Sequence, residues 1–254
     1  MLNFEQWKAA WLAEEQREFE GWDFSALEGR QTEEPLPWDY IAVVNHYRRP
    51  ADQLLDMGTG GGELLLKLRH PYARTAVTEA YPPNLALCRH RLAPLGIEVR
   101  AVTSDYELPF ADHSFDLIIN RHESFATPEV HRLLKPNGLF ITQQVGGLNN
   151  HRLSERLIPG FKGILPDRHD LKSNAGRLRE SGFELLEQDE YFPYLRFHDI
   201  GALVYLAKIV SWEFPGFSVE RCFDTLCQLQ QIVERDGYLE STEHRFLIVA
   251  RKTV

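Results

Sequence analysis

The sequence has little cysteine: three residues, Cys88, Cys222 and Cys227, in a chain of 254. They cannot all pair within the chain, and none stands in a Cys-x-x-Cys pair or beside histidines at metal-ligand spacing. A disulfide framework is thereby excluded, buried thiols are expected, and no residue is assigned to a metal. No apolar run approaches the roughly 20 residues needed to cross a bilayer. The start, Met1-Leu2-Asn3-Phe4-Glu5, lacks the basic residues and continuous apolar stretch of a secretory signal. The expectation is a cytoplasmic protein with no membrane partner. Positive charge is scarce too: 28 Lys and Arg against 37 Asp and Glu leave a net charge of -9. Nucleic-acid-binding modules usually carry a basic face, so a nucleic-acid partner is not expected. The acidity is concentrated: residues 1 to 39 hold ten acids against Lys8, Arg17 and Arg30, a local -7, which leaves -2 for the rest.

What is present is ordered along the chain. Asn3 is placed to cap a helix, with Gln6 three residues on, and Phe4, Trp7, Trp11 and Phe19 share roughly one face. Four of the five tryptophans, Trp7, Trp11, Trp22 and Trp38, lie in the first 38 residues, so this segment must cover apolar surface. Pro35-Leu36-Pro37 interrupts it. From residue 52 short apolar runs alternate with helical stretches, the pattern of parallel βαβ units. Strands are expected at Gln53 to Met57, Thr75 to Thr78, Glu98 to Thr103, Asp116 to Asn120 and Leu139 to Val145. Lys135-Pro136-Asn137-Gly138 fits a tight turn before the last of these. A sixth strand is expected within Glu184 to Tyr194, helices within 200 to 235, and a final strand at Arg245 to Ala250. Residues 151 to 180 hold seven basic residues, Lys162 and Arg168 among them, and four acids; a solvated face is the expected reason.

Three signals carry chemistry. Leu54-Leu55-Asp56-Met57-Gly58-Thr59-Gly60-Gly61-Gly62-Glu63 reads as a strand ending in an acid and then a glycine-rich turn into a helix, the place where open α/β sheets bind ligands. Such a turn alone would also suit NAD or a plain strand-to-helix connection. Gly58-x-Gly60, however, would need a third glycine where the chain has Glu63, and Asp56 would repel a pyrophosphate. The loop suits a cationic ligand. The second signal is Glu79, which ends the next strand about 20 residues on and is followed by Ala80; a carboxylate there can accept both hydrogens of a ribose diol. The third is Asp105, ahead of Leu108-Pro109-Phe110-Ala111-Asp112-His113-Ser114-Phe115-Asp116, where a carboxylate can accept from an adenine amine.

Together with Arg132-Leu133-Leu134-Lys135-Pro136-Asn137-Gly138, this ordered set resembles a class I S-adenosylmethionine-dependent methyltransferase of the type 11 group. The resemblance covers about residues 50 to 147 and does not reach the N-terminal 40. It implies an α/β, doubly wound, mostly parallel seven-stranded sheet of Rossmann-like methyltransferase fold, the last strand antiparallel. The expected organisation is one domain over 1–254, with a helical N-terminal cap at 1–48, a cofactor-binding core at 50–147, and acceptor-side insertions with the last strands at 148–240. The implied cofactor is S-adenosyl-L-methionine, with Asp56, Gly58, Thr59, Gly60, Gly62 and Arg121 around its methionyl end. Glu79 and Ala80 would meet the ribose, Asp105 would lie near adenine, and Tyr81 and Tyr106 would flank the base. After the fourth strand this chain has Asn120-Arg121-His122-Glu123-Ser124-Phe125 in place of the Pro-Pro-Tyr-like motif of many base-amine methyltransferases, which counts against DNA-base methylation.

Methyl transfer is an in-line displacement whose rate rests largely on alignment, and a hydroxyl acceptor also gains from a base within hydrogen-bond reach. His122 and Glu123 are the candidates for catalysis, against structural roles as a hydrogen-bonding histidine and a helix-capping acid. The expected partner is a small-molecule acceptor, enclosed by the aromatic N-terminal residues and the long segment before Arg245. An RNA or protein methyltransferase and a non-catalytic S-adenosylmethionine sensor remain alternatives. The acceptor and the oligomeric state are not legible.

Overall fold

A computed structural model describes residues 3–19, 24–161 and 169–253. Trp22, Lys162 and Arg168, singled out above, lie outside the described residues. The chain forms two compact units: residues 37–145, 169–190 and 245–254 make one, and residues 1–36, 146–168 and 191–244 the other. The first 48 residues are thus divided between the two.

The first unit is built on seven strands. They are β2 (Leu54–Met57), β3 (Thr75–Glu79), β4 (Glu98–Ala101), β5 (Phe115–Arg121), β6 (Leu134–Val145), β7 (Phe183–Tyr191) and β10 (Arg245–Lys252), in the order β4-β3-β2-β5-β6-β10-β7. Strands β2 to β6 pair in parallel, and β10 runs antiparallel to β6. The period of two sorts their side chains between two cores. Leu55, Met57, Ile118, Phe140, Phe246 and Ile248 enter one; Leu54, Leu117, Ile119, Ile141, Leu247 and Val249 enter the other. Covered on both faces, β2, β5 and β10 read as near-continuous apolar runs, whereas β4 and β7 are largely exposed and polar. Helices α2 (Tyr40–Tyr47), α3 (Glu63–Leu68), α4 (Pro82–Arg91), α5 (Thr127–Leu133) and α7 (Leu171–Glu180) complete the unit. Asp39 caps α2 by accepting from the amides of Ile41 and Ala42 at 2.8 and 3.2 Å. Pro82 stands in the first turn of α4, where a missing N–H costs nothing.

The expected turn at Lys135 to Gly138 lies inside β6. Leu134 pairs with Phe115 and Leu139 with Leu117, so four residues of β6 bulge opposite one of β5, with Asn137 at φ 63°.

The second unit holds α1 (Phe4–Gln16), β1 (Gln31–Glu33), α6 (His151–Leu157), β8 (Tyr194–Phe197), α8 (Ile200–Ile209), α9 (Val219–Asp236) and β9 (Leu239–Thr242). Asn3 accepts from the Gln6 amide at 3.4 Å at the start of α1. β1, β8 and β9 form an antiparallel three-stranded sheet that the sequence pattern does not announce. The apolar run from Gly201 to Ala207 is fully buried in α8, in a core shared with Trp11, Phe197, Phe214 and Leu226. Trp7 stacks on Trp11 at 5.9 Å, and Trp11 meets Phe223 at 5.8 Å. The aromatic residues of α1 therefore find their apolar surface within this unit. Arg30 grips Asp199 through two nitrogens at 2.9 and 2.6 Å, and Asp199 also caps α8 by accepting from the Ala202 amide at 2.8 Å. All three cysteines are buried thiols. Among the described residues, no helix is long and apolar enough to cross a membrane, and no cluster of His, Cys, Asp or Glu could hold a metal ion.

Candidate active site

Parallel register brings one edge of the first unit together. Met57 pairs with Thr78 on one side and Asn120 on the other, so Gly58, Glu79 and Arg121 leave their strands at the same level, at the carboxyl ends. Strand order reverses at β2, and the crevice of an open α/β sheet lies at such a point.

The loop after β2 turns through residues that demand glycine. Gly58 has φ 67°, and a Cβ there would fall 2.3 Å from Cγ of Glu123. Gly60 has φ 62° and differs in kind: a Cβ would meet nothing within 4 Å, so this glycine leaves open space for a neighbouring molecule. The amides of Gly58 and Thr59 both donate to the Thr78 carbonyl at 3.1 Å, tying the loop to β3. Gly62 is the N-cap of α3, and Cys88 on α4 donates its thiol to the Gly60 carbonyl at 2.9 Å.

Carboxylates crowd this loop. Asp56, 5% exposed, accepts from the Thr59 hydroxyl at 2.6 Å. Burial pushes its pKa up to about 7; the Thr59 hydrogen bond opposes this, Glu79 adds to it, and Arg121 opposes it. Glu79, equally buried, accepts from the amides of Gly60, Ala80 and Tyr81, each at 2.9 Å. Those amides take three of about four acceptor positions on its two oxygens. Glu123 lies against Gly58, and burial together with the negative charges of Glu79 and Asp105 raises its pKa above the ordinary glutamate value. Asp105 accepts from the Ser124 hydroxyl at 2.6 Å, which ties the segment after β4 to the segment after β5. Tyr81 and Tyr106 leave 48% and 78% of their surfaces open, so neither ring is spent on the core.

The structure thus gathers Asp56, Gly58, Thr59, Gly60, Glu79, Glu123, Ser124 and Asp105 into one connected set, with Arg121 close enough to act on Asp56 electrostatically. Repelling carboxylates with raised pKa values favour a ligand that brings positive charge. An ammonium and a sulfonium answer that need, and the loop's open side at Gly60 admits them, so the residues present fit S-adenosylmethionine.

A second polar network continues from the ends of β5 and β6. Asn120 Oδ1 accepts from the Thr142 hydroxyl at 2.9 Å and from Gln144 Nε2 at 2.5 Å, and Gln144 also donates to the Glu123 carbonyl at 3.0 Å. The buried Tyr40 hydroxyl donates towards the Asn120 carbonyl at 3.1 Å. His122, at φ 61°, donates its amide to the Gln143 carbonyl at 2.8 Å, and its ring lies 3.0 Å from Gln143 Nε2. Desolvation, with the positive charges of Arg121 and Arg245, holds the His122 pKa well below the ordinary histidine value. Tyr40, Thr142, Gln143 and Gln144 are absent from the sequence-based site. The polar run Thr142-Gln143-Gln144 at the end of an apolar strand was the available signal.

This edge belongs to a doubly wound α/β fold that sets a glycine-rich turn among carboxylates at the carboxyl ends of its strands. Residues 55–142 match the family described as a methyltransferase domain. A demethylmenaquinone methyltransferase from Thermus thermophilus is 33% identical over 147 residues, 51% of this chain and 67% of that enzyme. A phthiotriol/phenolphthiotriol dimycocerosates methyltransferase from Mycobacterium tuberculosis is 34% identical over 119 residues, 39% of this chain and 42% of the relative, so the match spans less than half of that protein. The YcgJ protein of Bacillus subtilis shares the fold, with a TM-score of 0.55 at 16% identity over 85% of this chain and 98% of the other. The chain belongs to the class I S-adenosylmethionine-dependent methyltransferases.

Proposed function

We propose that the carboxyl edge of the first unit binds S-adenosyl-L-methionine and that the protein methylates a small organic acceptor. The observation that carries this reading is the glycine loop set among mutually repelling carboxylates. Asp56 faces the methionyl ammonium, and the loop Gly58, Thr59, Gly60 and Gly62 lets the backbone approach. Arg121 answers the ligand's carboxylate. Glu79, with the Ala80 amide beside it, meets the ribose; Asp105 lies at the adenine amine, and Tyr81 and Tyr106 flank the base. The bound cofactor supplies a methyl group activated by its sulfonium. The chain's own contribution is to fix the acceptor in line with that methyl and to take any proton the acceptor loses. Glu123 suits the second task, because a carboxyl whose pKa is raised is a better proton acceptor than an ordinary one. The acidic balance supports a small molecule over RNA, and the two relatives are named for a quinone and for lipid acceptors.

Calorimetry with S-adenosylmethionine, S-adenosylhomocysteine and NAD tests the reading. Both adenosyl ligands should bind and NAD should not. Gly60→Val should block binding by filling the open space, and Glu79→Ala should weaken it by about 1.5–3 kcal/mol for each charge-assisted bond lost. NAD binding with no heat from the adenosyl ligands, or wild-type affinity in both variants, would overturn it.

A further inference from the structure

The tautomer of His122 can be read from its neighbours. The Trp38 indole donates to Gln143 Oε1 at 2.8 Å. An indole nitrogen can only donate, so the Gln143 atom facing it must be the oxygen, and the atom facing His122 Nε2 at 3.0 Å must be the amide nitrogen. That nitrogen can only donate as well. His122 Nε2 therefore accepts, and the imidazole proton sits on Nδ1. Gln143 is 2% exposed, so its amide is held by these two partners with little access for water to substitute. The His122 backbone is held in the left-handed region by its amide bond to the Gln143 carbonyl, a conformation that costs a non-glycine residue free energy unless its surroundings impose it. The residue nevertheless keeps exposed surface, and Arg121 and Arg245 act on it electrostatically.

A base needs a free lone pair, and the lone pair of His122 is engaged. We propose that His122 is a hydrogen-bond donor to the methyl acceptor: its Nδ1–H binds an anionic or carbonyl oxygen on the acceptor. Gln143 and Trp38 are positioning residues that fix the tautomer. The acceptor class is then an oxygen-bearing one, such as a phenolate or an enolisable carbonyl compound, rather than a simple alkylamine, whose single lone pair cannot both accept this bond and take the methyl. This rests on the methyltransferase reading for the word acceptor, but the tautomer does not.

Nitrogen-15 spectra of histidine-labelled protein at neutral pH test the tautomer without any cofactor. The His122 signals are identified by their loss in His122→Asn, a residue that tolerates the left-handed backbone. The expected spectrum is a neutral ring protonated at Nδ1. Gln143→Glu replaces the donor with an acceptor and should move the proton to Nε2 or make the ring cationic. An Nε2–H ring or an imidazolium in the wild-type protein would overturn the proposal. The acceptor role is tested with 4-nitrophenolate and benzylamine as probes, with S-adenosylhomocysteine present. 4-Nitrophenolate should bind in preference to benzylamine, and His122→Phe should weaken phenolate binding about tenfold or more while His122→Asn, which keeps an N–H donor, retains most of it. Equal phenolate affinity in the Phe variant, or preference for benzylamine, would overturn it. Failure of adenosyl ligands to bind would overturn the methyltransferase reading instead, leaving the tautomer result standing.

Discussion

Each unit contains a polar cluster, and the two are built on opposite principles. In the second unit Glu213 is fully answered: its two oxygens accept from Asn149 and Asn150 at 2.8 Å each, and its carbonyl accepts from the Ser154 hydroxyl at 2.7 Å. The asparagine oxygens are used as well, Asn150 accepting from the Ser241 hydroxyl at 2.6 Å and Asn149 from the His244 amide at 2.8 Å. In the first unit the carboxylates repel one another, Asp56 and Glu123 have raised pKa values, and the buried Asn120 Nδ2 has no partner among the described residues. A satisfied cluster fixes a structure; an underpaired one stores a cost that a ligand can remove. The difference supports the proposed placing of the site in the first unit.

The sharpest test of that contrast is pH. The Asp56 carboxyl rises from 3.8 to about 7 on folding, so between those values the folded, ligand-free protein binds the proton that the unfolded chain releases. Stability from this group is therefore present at low pH and is lost as pH rises from about 4 through about 7, by about 4 kcal/mol at most. A cationic ligand needs the ionised form, so its affinity should run the other way, rising with pH and levelling above about 7. Denaturant titrations and calorimetry at pH 5 and 8 read the two slopes. Asp56→Asn should flatten both, and a wild-type slope surviving in that variant would show that the group does not titrate as argued.

Breaking the satisfied cluster should cost slightly less and show no such dependence. Glu213→Ala strands the two asparagine amides, and losing hydrogen bonds to a charged group while leaving buried donors unpaired costs about 3 kcal/mol. Chemical unfolding should show that loss at any pH from 6 to 8. A neutral outcome would mean that water replaces the carboxylate and that the two clusters are alike.

How far the sequence shows these features depends on how local their causes are. β2, β5 and β10 are legible because strands buried on both faces are largely apolar, and Asp56, Gly58 and Glu79 are legible because each stands at or beside the carboxyl end of a strand. β1 is not: Gln31-Thr32-Glu33 has no apolar alternation, and its pairing partner Leu195–Phe197 is more than 160 residues away. The Trp38–Gln143 contact spans 105 residues, and the hydrogen bonds that set the His122 tautomer rest on it. The bulge of β6 escapes for another reason: proline and glycine mark a turn, but not that pairing resumes in the same strand beyond it.

The smallest expected effect concerns Asn84, on the face of α4 that also carries Cys88 and its bond to Gly60. Its side chain is 1% exposed, and neither amide atom has a partner among the described residues. An amide of this kind loses its water on folding and gains nothing in return, at a cost of about 1–3 kcal/mol. Leucine matches its branching at Cγ and removes that cost, while its larger tetrahedral carbons crowd the site and give back part of the gain, about 1 kcal/mol at the low end of overpacking. Asn84→Leu should therefore stabilise the ligand-free protein by about 1 kcal/mol, read as a higher denaturant midpoint with an unchanged slope. The matching substitution in the satisfied cluster, Asn149→Leu, should destabilise. If Asn84→Leu destabilised too, the Asn84 amide would be paired through water, and the underpaired character of the first unit would be confined to its carboxylates and Asn120.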